Sequence, residues 1–237
     1  MKRFLARIRA KALDNRLPPV TLVALGDSVT QGVMEHKRLE PQSTYHRQLQ
    51  EELEAFFPTT TFNLINAGIA GDNAPGGLAR LERDVLAFQP DLVIIGFGLN
   101  DSVSGEAGEA AFAEALGAMV RRISSETDAA IILLTPPFMA TRPSPKIHPD
   151  HQEAAKVILE AQCGGSLARY AAIVRAVGQA HGISVADVHA EWQRLSQTGL
   201  DTDLWLTNGL NHPGFHGHQL AKTLVFQIIL KAHLELQ

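Results

Sequence analysis

Five short runs dominated by aliphatic and β-branched residues, at positions 20–25, 61–65, 92–97, 129–134 and 183–188, recur along the 237-residue chain with helical patterns between them. Strands buried on both faces of a parallel sheet require runs of this kind. Between the runs, apolar residues keep a helical period at 44–57, 78–88, 110–125, 153–161, 167–180 and 215–236, and a short helix starts at 191–195. Each connection is long enough to cross over a sheet face. The pattern therefore predicts one doubly wound, three-layer α/β/α domain with a five-stranded parallel sheet over residues 20–237. No internal repeat, low-complexity tract or interdomain linker interrupts it.

Composition supports a globular chain, with 45% hydrophobic and 19% charged residues. The formal net charge of −4 and pI near 6.2 give no footprint for nucleic acid as a partner. Charge is uneven, however. Residues 1–19 carry Lys2, Arg3, Arg7, Arg9, Lys11 and Arg16 against Asp14, a formal +5 that leaves −9 for the remainder. This basic arm holds Phe4, Leu5, Ile8 and Ala12 at helical spacing. A helix docked on its own domain is expected, with weak membrane-surface contact as the alternative. Arginines interrupt every apolar stretch before Pro18, so no leader peptide or membrane span is expected, and the expected location is cytoplasmic. The single cysteine, Cys163, forms no internal disulfide and reads as a small residue near a helix end. Nothing in the pattern fixes an oligomeric state.

In a flavodoxin-like sheet, ligands bind beyond the carboxyl ends of the strands. The first run ends in Gly26-Asp27-Ser28, the second in a loop containing Gly71-Asp72-Asn73, and the third in Gly98-Leu99-Asn100-Asp101; Asn211-His212-Pro213 precedes the last helix. Together these loops supply a hydroxyl, a flexible glycine backbone, a side-chain amide and an imidazole, the groups that acyl transfer uses. Singly, each is also ordinary turn chemistry.

With these residues in view, the chain resembles the SGNH hydrolases, the GDSL-type esterase and lipase family. The resemblance rests on four blocks in the family's order: Gly26-Asp27-Ser28-Val29-Thr30-Gln31-Gly32, with valine where leucine is usual; Asn66-Ala67-Gly68-Ile69-Ala70-Gly71-Asp72; Gly98-Leu99-Asn100-Asp101; and His212-Pro213 with Gly217-His218 following. It implies a carboxylic ester hydrolase that needs no cofactor and acts on a small-molecule ester. Ser28 would be the nucleophile and His212 the general base. The oxyanion hole would be formed by the Ser28 and Gly71 backbone and the Asn100 amide. An acetyl or other short acyl ester is the expected substrate. Longer acyl chains, as in a lysophospholipase or thioesterase, and a non-catalytic ligand-binding role are the alternatives.

One departure stands out. The family's aspartate three residues before the base is here Gly209. A backbone carbonyl near Asn208 or Gly209, or else Asp201 or Asp203 folding back, would orient His212; a Ser–His dyad with a neutral acceptor is the expectation. His148, Asp150 and His151 in the proline-rich 135–149 region and its sequel, and His212, His216 and His218, do not have the pattern of a catalytic metal site, so no metal is expected. Phe138, Met139 and Ile147 either line an acyl pocket or pack their loop down.

Overall fold

The structure, a computed structural model, describes residues 1–236. Strands β1 (Val20–Gly26), β2 (Phe62–Gly68), β3 (Leu92–Gly96), β4 (Ala130–Leu134) and β5 (Ser184–Ala186) form one parallel sheet in the order β2-β1-β3-β4-β5. This is the expected doubly wound sheet. The helices are α1 (Lys2–Leu13), α2 (Ser28–Gln31), α3 (Tyr45–Phe56), α4 (Ala74–Ala79), α5 (Leu81–Asp84), α6 (Leu99–Ser102), α7 (Glu109–Glu126), α8 (Gln152–Cys163), α9 (Ser166–His181), α10 (Val188–Gln197) and α11 (Phe215–Leu234).

Because side chains alternate along a strand, each central strand feeds two cores. Leu22, Ala24, Leu92, Ile94 and Ile132 meet Leu49 and Leu53 of α3, Trp192 of α10, and Val225 and Ile229 of α11. Val23, Leu25, Val93, Ile95 and Leu133 meet Leu81 of α5, Phe112, Leu116 and Met119 of α7, and Tyr170 and Val174 of α9. The basic arm forms α1, whose Phe4, Leu5 and Ile8 are buried in the first of these cores. Among the described residues, no helix is long and apolar enough to cross a membrane.

Three elements differ from the sequence pattern. The helix expected at 78–88 starts earlier and is broken: the Asn73 side chain caps α4 by accepting the Gly76 N–H, Pro75 suits the first turn, and Arg80 leaves helical geometry between α4 and α5. Leu86–Phe88 then form a 3-10 turn. Strand β2 runs on through Asn66-Ala67-Gly68, expected as turn, because β1 offers partners up to Gly26. Strand β5 stops at Ala186, because Asp187 turns to cap α10 and pair with Arg175.

Gly26 lies in register with Gly68 on one side and Gly96 on the other. The one-turn helix α2 packs directly on this row. A Cβ on Gly68 would lie 2.1 Å from the Gln31 nitrogen and 2.6 Å from the Thr30 carbonyl carbon, both backbone atoms that cannot swing aside. Gly68→Ala is therefore expected to destabilise the fold by about 1–3 kcal/mol, the usual range for overpacking. Urea unfolding would measure it, and an unchanged midpoint would refute this account of the glycine row.

Candidate active site

Ser28 opens α2 at the end of β1, where the Asp27 carboxylate caps the turn by accepting the Val29 N–H at 2.9 Å. Burial pushes the Asp27 carboxyl up to about 7, with Asp101 and Asp72 adding to the rise and the Val29 N–H opposing it. The turn is stitched to its neighbours by polar contacts. Gln31 Oε1 accepts the Ala70 N–H at 2.9 Å, Gly26 O accepts the Ile69 N–H at 3.1 Å, and the buried Tyr45 and Thr30 hydroxyls meet at 3.1 Å.

His212 reaches this turn from the far end of the chain. Its Nε2 is 3.0 Å from Ser28 Oγ, and its Nδ1 is 2.9 Å from the backbone carbonyl oxygen of Met34. A carbonyl can only accept, so Nδ1 carries the proton and Nε2 presents its lone pair to the serine hydroxyl. Burial lowers the His212 pKa below the ordinary imidazole value; the bond to Met34 opposes that shift and His151 adds a smaller push in the same direction. The lowered pKa favours the neutral imidazole, with Nε2 as the bare nitrogen facing Ser28 Oγ.

The acceptor is a neutral carbonyl, as the dyad expectation has it, but it comes from a different place. It does not lie near Asn208 or Gly209. Met34 belongs to a tight turn in which Val33 bridges Leu39, the Met34 N–H donates to Arg38 O at 2.9 Å, and the Met34 side chain is buried. Asp203 instead accepts from the Thr141 N–H and hydroxyl, and Asp201 pairs with Arg142. Asn208 organises the histidine loop: its Oδ1 accepts the N–H groups of Leu210, Asn211 and His212, each at 3.0 Å. Gly209 has φ +68, and a Cβ there would lie 2.6 Å from Ser144 Oγ and 3.1 Å from Lys146 Cβ. A side chain at this position is therefore crowded and strained.

Gly71 turns with φ +76 and has open space where a side chain would be. Asn100 Nδ2 donates to Asp72 O at 2.7 Å, which fixes the amide beside the Gly71 loop. Buried Asp101 ties the same loops from beneath, accepting the Ala74 and Gly98 N–H groups at 2.9 and 3.0 Å. The sequence pattern did not reveal Arg80. Its guanidinium, almost fully buried, donates to Gly26 O, Ala67 O, Asp72 and Asp84 at 2.7–2.9 Å. One fork thus joins the ends of β1 and β2 to the Gly71-Asp72 loop.

The other candidates lie apart from this chemistry. Phe138 packs against His189 and Trp192, while Met139 and Ile147 are buried with Leu99, Leu210 and Leu167, so these three pack their loops down. His218 is buried and accepts the Tyr45 N–H through Nδ1, and His216 is exposed beside Trp205. Cys163, exposed at the end of α8, donates to Thr141 O. A cleft of about 470 Å³ adjoins the histidine loop, lined by Glu35, His36, Lys146, His148, Thr207 and Asn208 among others.

A model of the GDSL-like lipase/acylhydrolase family matches residues 24–220. Esterase TesA of Pseudomonas aeruginosa is 32% identical over 116 residues, 48% of this chain and 53% of that protein, so the chain spans about half the length of this curated relative. The crystal structure of a lipase/acylhydrolase from Enterococcus faecalis superposes with a TM-score of 0.67 at 25% identity, covering 89% of this chain and 95% of that one. An acetylxylan esterase from Geobacillus stearothermophilus gives a TM-score of 0.68 at 20% identity over 88% and 93% of the two chains, a likeness of fold.

Two sets of variants follow from this geometry. Asp201→Asn and Asp203→Asn are each expected to keep most esterase activity, because neither carboxylate meets His212; a large fall in kcat for either would contradict the assignment. Gly209→Asp is expected to lose activity and stability rather than gain either. An increase in kcat would mean that an aspartate can complete a triad here.

Proposed function

Because the chain belongs to the GDSL-like lipase/acylhydrolase family, we propose that it hydrolyses carboxylic esters of short acyl groups through an acyl-enzyme on Ser28. The observation that carries this reading is the chain of contacts from Ser28 Oγ to His212 Nε2 at 3.0 Å and from His212 Nδ1 to Met34 O at 2.9 Å.

A serine hydroxyl is a poor nucleophile unless a base takes its proton during attack. In this mechanism Oγ attacks the ester carbonyl as its proton passes to His212 Nε2. The carbonyl oxygen becomes an oxyanion and is met by the N–H groups of Ser28 and Gly71 and by Asn100 Nδ2. Each such donor typically supplies about 2.7–4 kcal/mol of transition-state stabilisation. The tetrahedral species collapses, the alcohol leaves with the proton from Nε2, and a water activated by the same nitrogen releases the acid. The Met34 carbonyl holds the ring in place throughout, offering its dipole to the imidazolium where a carboxylate would offer a full charge.

Two features support a small acyl group joined to a polar alcohol. The apolar loop side chains Phe138, Met139 and Ile147 are committed to packing. The cleft beside His212 is lined by Glu35, His36, Lys146, His148, His151, Thr207 and Asn208, with Leu204 its apolar member.

The test is hydrolysis of p-nitrophenyl acetate, butyrate and octanoate by wild type and Ser28→Ala. Acetate and butyrate should be cleaved faster than octanoate, and Ser28→Ala should lose roughly 10³-fold or more in kcat. Equal rates for wild type and variant would overturn the mechanism, and a preference for octanoate would overturn the substrate reading. The lowered His212 pKa sets a sign as well. The base is lost as pH falls through its pKa, so the acid limb of kcat/KM should lie below about pH 6.5; a midpoint above that value would contradict a neutral, half-buried imidazole.

A further inference from the structure

His36 stands on the same turn as Met34, while His148, Asp150 and His151 lie just ahead of α8, more than a hundred residues later in the chain. The fold brings them together. The His36 and His148 rings stack with centroids 3.9 Å apart and planes 5° from parallel. Asp150 Oδ2 is 4.0 Å from His36 Nε2 and 3.6 Å from His148 Nδ1, and one donor atom from each of these three residues lies within 4.8 Å of the others. His151 approaches the opposite edge of His36, its Nε2 being 3.4 Å from His36 Nδ1. His36, His148 and His151 line the cleft beside the histidine loop, but none of the four side chains takes part in the acyl transfer proposed above.

We propose that His36, His148 and Asp150 bind a divalent transition-metal ion of the zinc type at the rim of the active site. Two imidazole nitrogens and one carboxylate oxygen are a donor set that suits Zn²⁺, and they leave a coordination position for water or a fourth side chain. With bonds of about 2.0–2.2 Å, a tetrahedral ion holds its donor atoms about 3.3–3.6 Å apart. The donor pairs at 3.6 and 4.0 Å are already near that spacing. The side chains are half-buried or exposed, so rotation can close the rest, with the ion taking over the His148 Nδ1 lone pair that accepts the Asp150 N–H at 3.2 Å. Lys146, the cation sharing the cleft, is directed at Leu206 O, 3.4 Å from its Nζ.

The ion would not enter the acyl transfer, but it would sit where it can govern it. Binding to His36 fixes the turn whose Met34 carbonyl orients His212. The added positive charge also disfavours the imidazolium that forms during attack. Occupancy is therefore expected to slow ester hydrolysis. This second effect rests on the proposed function; the binding itself does not.

The test is calorimetric titration of the metal-free full-length protein with Zn²⁺, for wild type, His36→Ala, Asp150→Asn, His216→Ala and Cys163→Ser. One ion per chain with a dissociation constant in the micromolar range or tighter is expected for wild type. Loss of either ligand should weaken binding by at least about tenfold, as even indirect damage to a metal site often does. His216→Ala and Cys163→Ser should bind as wild type does. Asp150→Asn is nearly isosteric, and unchanged circular dichroism would show that its fold is intact. Absence of saturable binding, or equal affinity in wild type, His36→Ala and Asp150→Asn, would overturn the site. Saturable binding with undiminished p-nitrophenyl acetate hydrolysis would overturn the coupling to His212. Failure of the ester reading alone would show instead as inactivity without metal.

Discussion

Close packing of a one-turn helix on a row of strand-end glycines is the constraint on which the rest of this site depends. Gly26, Gly68 and Gly96 lie side by side in register, and α2 rests on them with no space for a Cβ at Gly68. That contact fixes where Ser28 emerges from the sheet. Arg80 then secures the surroundings, because one buried guanidinium serves two strand-end carbonyls and two carboxylates at once. Charge-assisted bonds to a planar fork specify geometry as well as adding stability. The interruption between α4 and α5 falls at the residue that makes these bonds, so local helix continuity gives way to the architecture of the site.

The second organising feature is the way a histidine is oriented without a carboxylate. Gly209 adopts a left-handed backbone in a crowded loop, where any side chain is strained. A carbonyl on the Met34 turn takes over the hydrogen bond to Nδ1 and with it the choice of tautomer. What it does not supply is negative charge for the imidazolium. Asn208, with three backbone N–H groups on one oxygen, gives the histidine loop the rigidity that this arrangement requires. His212 is thus held by two turns from opposite ends of the chain.

Much of this was legible in the residues. Apolar runs located all five strands, and polar loops at their ends located Ser28, Gly71 and Asn100, because strand direction alone places those loops on one edge. His212 followed from its block ahead of the last helix. What escaped was of two kinds. Arg80 acts through bonds to the Gly26 and Ala67 carbonyls and two carboxylates, and nothing in its own neighbourhood marks it; Asp101 stands in a recognisable block, but its bonds to the Ala74 and Gly98 N–H groups could not be read there. Met34 contributes only a carbonyl, which every residue possesses, so no residue type could signal it. His148, Asp150 and His151 stand close together in the sequence, where they do not have the pattern of a metal site; the fold alone brings His36 to them.

In the mechanism proposed for this chain, a backbone carbonyl sets the His212 tautomer and leaves Nε2 free as the base. Nitrogen-15 NMR of the imidazole in the resting protein near pH 7 tests it most directly, with His212→Gln used to assign the signals. The predicted spectrum has Nδ1 protonated, with a scalar-coupled proton, and Nε2 of the unprotonated, pyridine-like type. A spectrum with Nε2 protonated and Nδ1 bare would contradict the Met34 contact and remove the base on which Ser28 depends.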